Sequence, residues 1–373
     1  MRQKRLLIFT DFFTPHWTGV SKSIDYLTKG IGNHYKITVL TVRFDKSLKK
    51  KENLGRVRVL REDFAFALSR SKYSVRIIFR FLGIVKNFDV VVINSPSSNI
   101  LPIAIITKIF GKKLIIFHQG DLILPKGFIN RIIEKIFDIS CYFSFLISDK
   151  VSTYTADYGK NSRVIRNFLS KFEPMLVPIY LTKTTDKIRL IQDLKKEKLY
   201  IFGFAGRFVE EKGFDILLDA IPAVIKERKD VKFVFAGEAN ITYENFYQKN
   251  QDKLSRINEH VIILGLLGEY DIVKFYNSLD FLIVPSRSDC FNLVQAEAMV
   301  RGIPSIVSNI PGARFLVDET SFGLKFKLED SSDLGKAILS AIKNKDMFKK
   351  KWIKVKEILN NNQNVKKIED IIG

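Results

Sequence analysis

Eleven short runs rich in β-branched and aromatic residues recur along the chain, separated by segments whose apolar residues return every three to four positions. This alternation restricts the fold more than any other feature. The runs in the first half are RLLIF (5–9), KITVLTV (36–42), RVRVL (56–60), DVVVIN (89–94), KLIIFH (113–118) and KVSTYT (150–155). Those in the second half are LYIFGFAG (199–206), VKFVFAG (231–237), VIILG (261–265), DFLIVPS (280–286) and PSIVS (304–308). Strands alternating with amphipathic helices predict parallel sheets covered by helices on both faces, an α/β fold. Runs that are continuously apolar fit strands buried on both sides. At 373 residues the chain exceeds one ordinary core. The pattern falters between 172 and 198, where Pro174, Pro178 and the run DLKKEK stand. The expected organisation is an N-terminal Rossmann-like domain (1–182), a C-terminal Rossmann-like domain (183–345) and a helical tail (346–373) that packs back on the first. Two such domains facing across a cleft would bind ligands at the carboxyl ends of their strands.

Charge is unevenly placed. Residues 1–182 hold 30 Lys+Arg against 13 Asp+Glu, or +17, and the remaining 31 against 27 leave +4 of the total +21. A basic N-terminal half implies an anionic partner. Two cysteines far apart, Cys141 and Cys290, argue against a disulfide framework or a zinc site and fit a cytoplasmic setting. The basic, apolar start reads as a first strand, because Asp11 ends it and no small-residue cleavage site follows. The longest uncharged stretch, Val90–Thr107, is broken by Asn94, Pro96, Asn99 and Pro102, so no membrane span is expected.

Four segments carry candidate chemistry. In PSRSDCFNLVQAEAM (285–299) a strand runs into a helix starting at Phe291, Asn292 and Leu293, where backbone amides can hold a diphosphate. Asp289 and Glu297 flank that start. They suit sugar or ribose hydroxyls, and read equally as an N-terminal cap and a solvated helix residue. In FGFAGRFVEEKGF (202–214), Arg207 and Lys212 follow a strand and can converge on a diphosphate; two surface cations would look the same. Gly19, in TPHWTGVSKSI, lies where a strand-to-helix turn brings backbone close to phosphate or sugar. This is not the GxGxxG fingerprint, so a dinucleotide site is disfavoured. His118, in IIFHQGD, stands at a strand end. Asp121 nearby is either a ligand contact or a cap. His34 reads as a structural turn residue.

These motifs resemble the retaining GT-B glycosyltransferases of glycosyltransferase family four, the glycosyl transferases group 1 enzymes, most specifically over 199–320. GRFVEEKG looks like that family's diphosphate-binding Arg-x4-Lys, and DCFNLVQAEAM like its Glu-x7-Glu element with Asp289 in the first position. The resemblance implies a sugar transferred with retention from a UDP- or GDP-linked donor to a lipid-linked or polysaccharide acceptor. It also implies His118 and Asp289 at the donor sugar, Glu297 at the ribose, and no protein nucleophile. The chain contains no Asp-x-Asp pair, so no metal is expected. A nucleotide-sugar epimerase and a non-catalytic basic binding protein are the rival readings. Nucleic acid is not expected as a partner, since aromatic and basic residues are not interleaved. Finally, Lys72, Arg76 and Arg80 at four-residue spacing predict a basic stripe beside an apolar face over 72–88, a helix lying on an anionic membrane. An ordinary covering helix has the same pattern.

Overall fold

The computed structural model describes residues 3–373 except 17, 65, 69, 70, 125, 126, 240, 242 and 243, with backbone alone at 66–68 and 71–73. The chain forms two compact units, Met1–Pro178 with Asn361–Gly373, and Ile179–Asn360.

The strands of the first unit are β1 (Lys4–Thr10), β2 (Tyr35–Val42), β3 (Lys51–Leu54), β4 (Val57–Glu62), a ribbon of β5 (Phe66–Leu68) and β6 (Ser71–Tyr73), β7 (Val90–Ser95), β8 (Lys113–His118), β9 (Lys150–Thr153) and β10 (Phe172–Pro174). Its helices are α1 (Gly19–Ile31), α2 (Val75–Ile84), α3 (Ile100–Ile109), α4 (Phe128–Ile147) and α5 (Ala156–Asn161). The main sheet runs β10-β9-β8-β7-β1-β2-β4-β3 and is parallel except for β3. Residues Leu6 to Phe9 of β1 are fully buried, because helices cover both faces. On one face Leu7, Phe9, Leu40 and Ile93 pack against Phe81 of α2, Ile103 of α3 and Phe145 of α4. Strand order reverses between β1 and β7, which places a crevice at their carboxyl ends.

The second unit contains α6 (Arg189–Lys196), β11 (Tyr200–Ala205), α7 (Phe214–Glu227), β12 (Val231–Ala236), α8 (Phe246–Lys249), α9 (Gln251–Ser255), β13 (Val261–Gly265), α10 (Glu269–Ser278), β14 (Phe281–Val284), α11 (Leu293–Val300), β15 (Ser305–Ser308), α12 (Pro311–Thr320), β16 (Gly323–Phe326), α13 (Ser331–Lys343), α14 (Lys345–Lys349) and α15 (Trp352–Ile358). Its sheet, β13-β12-β11-β14-β15-β16, is parallel throughout and reverses order between β11 and β14.

The helical tail is divided between the two units. Helices α14 and α15 stay with the second, where Phe348 and Val355 are buried and Trp352 Nε1 donates to Met299 O at 2.9 Å. The last helix, α16 (Asn361–Ile372), joins the first unit beside α1. There Lys113 Nζ donates to Ile372 O at 2.8 Å, and His34 Nδ1 lies 3.0 Å from Glu369. The stretch 172–198 holds β10 and α6, with Ile191 buried, where the sequence shows only a break in pattern.

Candidate functional site

In the second unit the two carboxyl ends at the order reversal, after β11 and after β14, carry the predicted residues. Gly206 and Arg207 follow β11, and Lys212 closes the same loop. Gly213 then turns into α7 with φ of 65°, and a Cβ there would fall 2.0 Å from Pro285 O. Only glycine fits, and its fit locks the first loop against the start of the second. Across that contact Lys212 Nζ donates to Asp289 Oδ2 at 3.0 Å. Asn292 Nδ2 donates to the same oxygen at 2.8 Å. Burial opposes the Lys212 charge, but Asp289 and Glu211 outweigh it and hold the lysine pKa above its ordinary value. An ammonium carries three N–H donors, so Lys212 can contact Asp289 and a phosphate together.

Helix α11 begins where the sequence predicts. Its cap is Asn292, whose Oδ1 accepts from Gln295 N at 2.9 Å, so Asp289 is not the cap. The Asn292 amide donates to Gly312 O at 3.3 Å, leaving Leu293 and Val294 as the first-turn amides with no intrahelical acceptor. Phe291 is buried. Glu297 is 1% exposed, not a solvated helix residue, and its Oε2 accepts from Tyr276 Oη at 2.9 Å.

Sequence reasoning missed Gly312 and Arg287. A Cβ at Gly312 would lie 1.8 Å from Asp289 O, so this glycine sets how closely α12 backs the Asp289 loop. Arg287 makes a fork of two 2.8 Å bonds to Asp215 and a third bond, of 2.7 Å, to Glu329. These contacts raise its pKa and pin the loop ahead of Asp289. The Pro-Gly pair at 311–312 was the available signal for the first. Nothing local marks the second.

In the first unit, His118 ends β8 as expected, but its ring is fully enclosed. Ser95 Oγ lies 3.0 Å from Nδ1 and Asp121 Oδ1 lies 3.1 Å from Nε2, with Phe145 edge-on. The expectation of a ring facing a ligand therefore changes: both ring nitrogens are engaged inside the unit. Asp121 also accepts from Ser162 Oγ and Arg163 N, each at 2.8 Å. Burial would raise its pKa, but His118, Arg163 and Ser162 outweigh this and lower it to about 2. Both side chains tie the segment after β8 to 162–163.

Beside them a buried polar chain crosses the carboxyl ends of the strands. Asn94 Nδ2 donates to Thr10 Oγ1 (2.9 Å), Gln119 Nε2 to Asn94 Oδ1 (2.5 Å), and the Tyr154 hydroxyl to Gln119 Oε1 (2.7 Å). Ser23 of α1 lies 2.6 Å from that hydroxyl. Asp11, just past β1, is 5% exposed and accepts from Ser97 Oγ at 2.7 Å. Burial raises its pKa to about 7, against the lowering effect of Ser97 and Ser98. Gly19 opens α1, with nothing within 4 Å of where a Cβ would stand. Cys141 and Cys290 are free thiols whose pKa burial pushes up, so neither is primed as a nucleophile.

The basic stripe on α2 is not continuous. Ile77, Phe81 and Val85 are core, as in an ordinary covering helix, and Arg80 lies 3.6 Å from Glu62. Arg76 is exposed, and the Lys72 side chain lies outside the described residues. The larger exposed apolar surface is on α4, where Phe128 is 80%, Ile129 71%, Ile136 60% and Ile139 56% exposed. Among the described residues no helix is long and apolar enough to cross a membrane.

Comparison with known proteins places this geometry. Over 98% of both chains the structure superposes on HepE from Anabaena, solved in complex with UDP and glucose, with a TM-score of 0.78 at 15% identity. The fold is GT-B. Residues 200–344 match the family described as Glycosyl transferases group 1. The chain is 26% identical over 356 residues to alpha-monoglucosyldiacylglycerol synthase of Streptococcus pneumoniae, covering 91% of this chain and 78% of that one. It is 35% identical over 159 residues to an uncharacterized glycosyltransferase of Methanocaldococcus jannaschii, 42% of each chain. The comparisons thus show a GT-B fold whose second unit carries a segment similar to the group 1 glycosyl transferases.

Proposed function

We propose that the protein is a retaining, metal-independent transferase of glycosyltransferase family four. It moves a sugar from a UDP- or GDP-linked donor to a lipid-linked or cell-envelope glycan. The observation that carries this reading is the cradle at the order reversal of the second unit, where Arg207, Lys212 and the first turn of α11 offer cations and amides to a diphosphate. These groups stabilise negative charge on the leaving nucleoside diphosphate, the work a metal does in other transferases. Glu297, buried and already accepting from Tyr276, holds the ribose. Asp289 keeps one oxygen on Lys212 and Asn292 and offers the other to the donor sugar. The leaving phosphate oxygen takes the acceptor proton, so no protein base or nucleophile enters. In the first unit His118 and Asp121 act as positioning residues for the segment 118–121, and Gly19 leaves room for substrate. The lipid class of acceptor is supported by the activity named for the S. pneumoniae relative.

The reaction is tested by incubating a panel of nucleotide sugars with a membrane lipid extract and analysing products by mass spectrometry. Transfer with release of the nucleoside diphosphate is expected only when acceptor is present, and EDTA is expected to leave the rate unchanged. The cations of the cradle, placed to take the charge of the leaving diphosphate, support this. Diphosphate release without acceptor would contradict transfer. Activity lost to EDTA and restored by manganese would contradict the metal-free mechanism.

Attachment to an anionic membrane surface is part of this reading, through the outer faces of α2 and α4. Val75 and Phe79 of α2 and the α4 residues above are exposed, with Arg76, Arg131 and Lys135 among them. Each cation near an anionic surface contributes about 1 kcal/mol. The protein is expected to sediment with anionic vesicles at low salt and to be released by high salt. Ile136→Ser with Ile139→Ser, two exposed positions whose change leaves the core intact, should reduce binding at least fivefold. Wild-type protein remaining in the supernatant under those conditions would sink this part.

A further inference from the structure

At the opposite ends of the first unit's strands, away from Asp11 and His118, lies a cavity of about 550 Å³. Its lining comes from the amino ends of β1 and β2, the β3–β4 hairpin, and the last turn of α2 with the residues leading into β7. Five of its thirteen lining residues are cations, Arg5, Lys36, Arg56, Arg58 and Arg80, and none is a carboxylate. Residues 1–182 hold 30 Lys+Arg against 13 Asp+Glu, and this wall carries cations alone. The nearest acids stand at the edges: Asp89 is 3.8 Å from Arg5 Nε and Glu62 is 3.6 Å from Arg80 Nε. Both distances exceed a hydrogen bond, and both nitrogens are buried with no hydrogen-bond partner. Among the described residues Lys36 and Arg58 form no ion pair. Arg56 Nη1 already donates to Asn33 Oδ1, but a buried guanidinium N–H without an acceptor, as at Arg5 Nε and Arg80 Nε, is costly unless something supplies one.

We propose that this cavity is a binding site for a phosphate ester, separate from the diphosphate cradle of the second unit. Guanidinium forks suit phosphate oxygens, two or more at a time. Asn53 and Asn87 add amide donors to the lining, and Leu60, Ile84 and Phe88 add apolar surface for the organic part of the ester. The shared chemistry is a phosphate mono- or diester, brought either by a soluble metabolite or by a phospholipid headgroup. The inference rests on the cavity alone and does not depend on the transferase reading.

The test compares the wild type with Lys36→Gln/Arg58→Gln, two exposed positions. A control, Lys351→Gln/Lys354→Gln, lowers net charge equally on the other unit. Glycerol 3-phosphate is titrated calorimetrically, and vesicles of phosphatidylglycerol in phosphatidylcholine are sedimented with each protein. If the source is soluble, the wild type and the control bind glycerol 3-phosphate at one more site than Lys36→Gln/Arg58→Gln does. If the source is lipid, glycerol 3-phosphate shows no such difference, but vesicle binding falls at least fivefold in that variant and not in the control. Equal behaviour of all three proteins with both probes overturns the proposal. So does an equal loss in variant and control, which would report net charge only. Transfer to a soluble acceptor should be unchanged in Lys36→Gln/Arg58→Gln; its loss would place these residues in the reaction and overturn the claim of a separate site.

Discussion

Arg207→Ala and Lys212→Ala are each expected to lower kcat/KM by roughly 10- to 150-fold, the equivalent of about 1.5–3 kcal/mol for a lost charge-assisted contact to phosphate. The two variants should differ in stability. Arg207 is half-buried at the end of β11, and its truncation should leave the fold intact. Lys212 is the partner of Asp289, whose side chain is 11% exposed. Removing the ammonium takes from Asp289 Oδ2 one of its two side-chain donors and leaves it Asn292 Nδ2. Breaking a mostly buried pair on one side costs more than the pair itself contributes, up to about 3–5 kcal/mol in full burial. Lys212→Ala should therefore also melt at lower temperature, and Lys212→Ala/Asp289→Asn should recover stability but not activity. Steady-state kinetics with thermal melts for the four variants decide this. Near-normal turnover by an Arg207→Ala/Lys212→Ala double variant would remove the cradle from the mechanism.

A second large effect is expected from pH. The Asp11 carboxyl has a folded pKa of about 7 against an ordinary 3.8. A raised folded pKa means the native state holds its proton more tightly than the unfolded chain does. The stability this group contributes is complete below about pH 4 and is lost as pH rises toward 7. Between these limits the slope is about 1.4 kcal/mol per pH unit, or on the order of 4 kcal/mol in all. Asp11→Asn keeps the shape and an acceptor for Ser97, and removes the titration. Denaturant unfolding from pH 4 to 8 should show the wild type losing stability relative to Asp11→Asn by that order. Parallel curves would mean that Asp11 ionises as an ordinary carboxylate. Asp121 has the opposite sign: its folded pKa is lowered to about 2, so its contribution is lost as pH falls from about 4 toward 2.

Much of this was legible in the chain itself. All eleven runs became strands, the central ones such as β1 and β7 because a strand buried on both faces needs an apolar run, and that is a local property. The helix start near Asn292 was readable from the local motif, although the cap is Asn292 itself and not Asp289. Short edge strands were not: β3 reads KENL, with two charged residues of four, and exists because β4 offers it a free edge. The residues of the cradle could be named from their motifs, since strand ends and glycines mark them.

Their partners could not. Lys212 and Asp289 are 77 positions apart, and nothing near either one announces the other. Thr10 and Asn94 are 84 apart, and Tyr154 meets Ser23 across 131. His118 was placed correctly at a strand end, but whether its ring looked outward or inward depended on Ser95, Asp121 and Phe145 arriving around it. The apolar face on α2 was visible in the sequence, whereas its division into core and surface was not, because periodicity records which residues are apolar and not what covers them. Sequence alone determined the parallel α/β architecture and the two units, both of which follow from short-range pattern. Tertiary structure alone decided which charged groups are paired, which carboxyl keeps its proton and which apolar residues face solvent. Those properties depend on burial and on neighbours that only the folded sheets bring together.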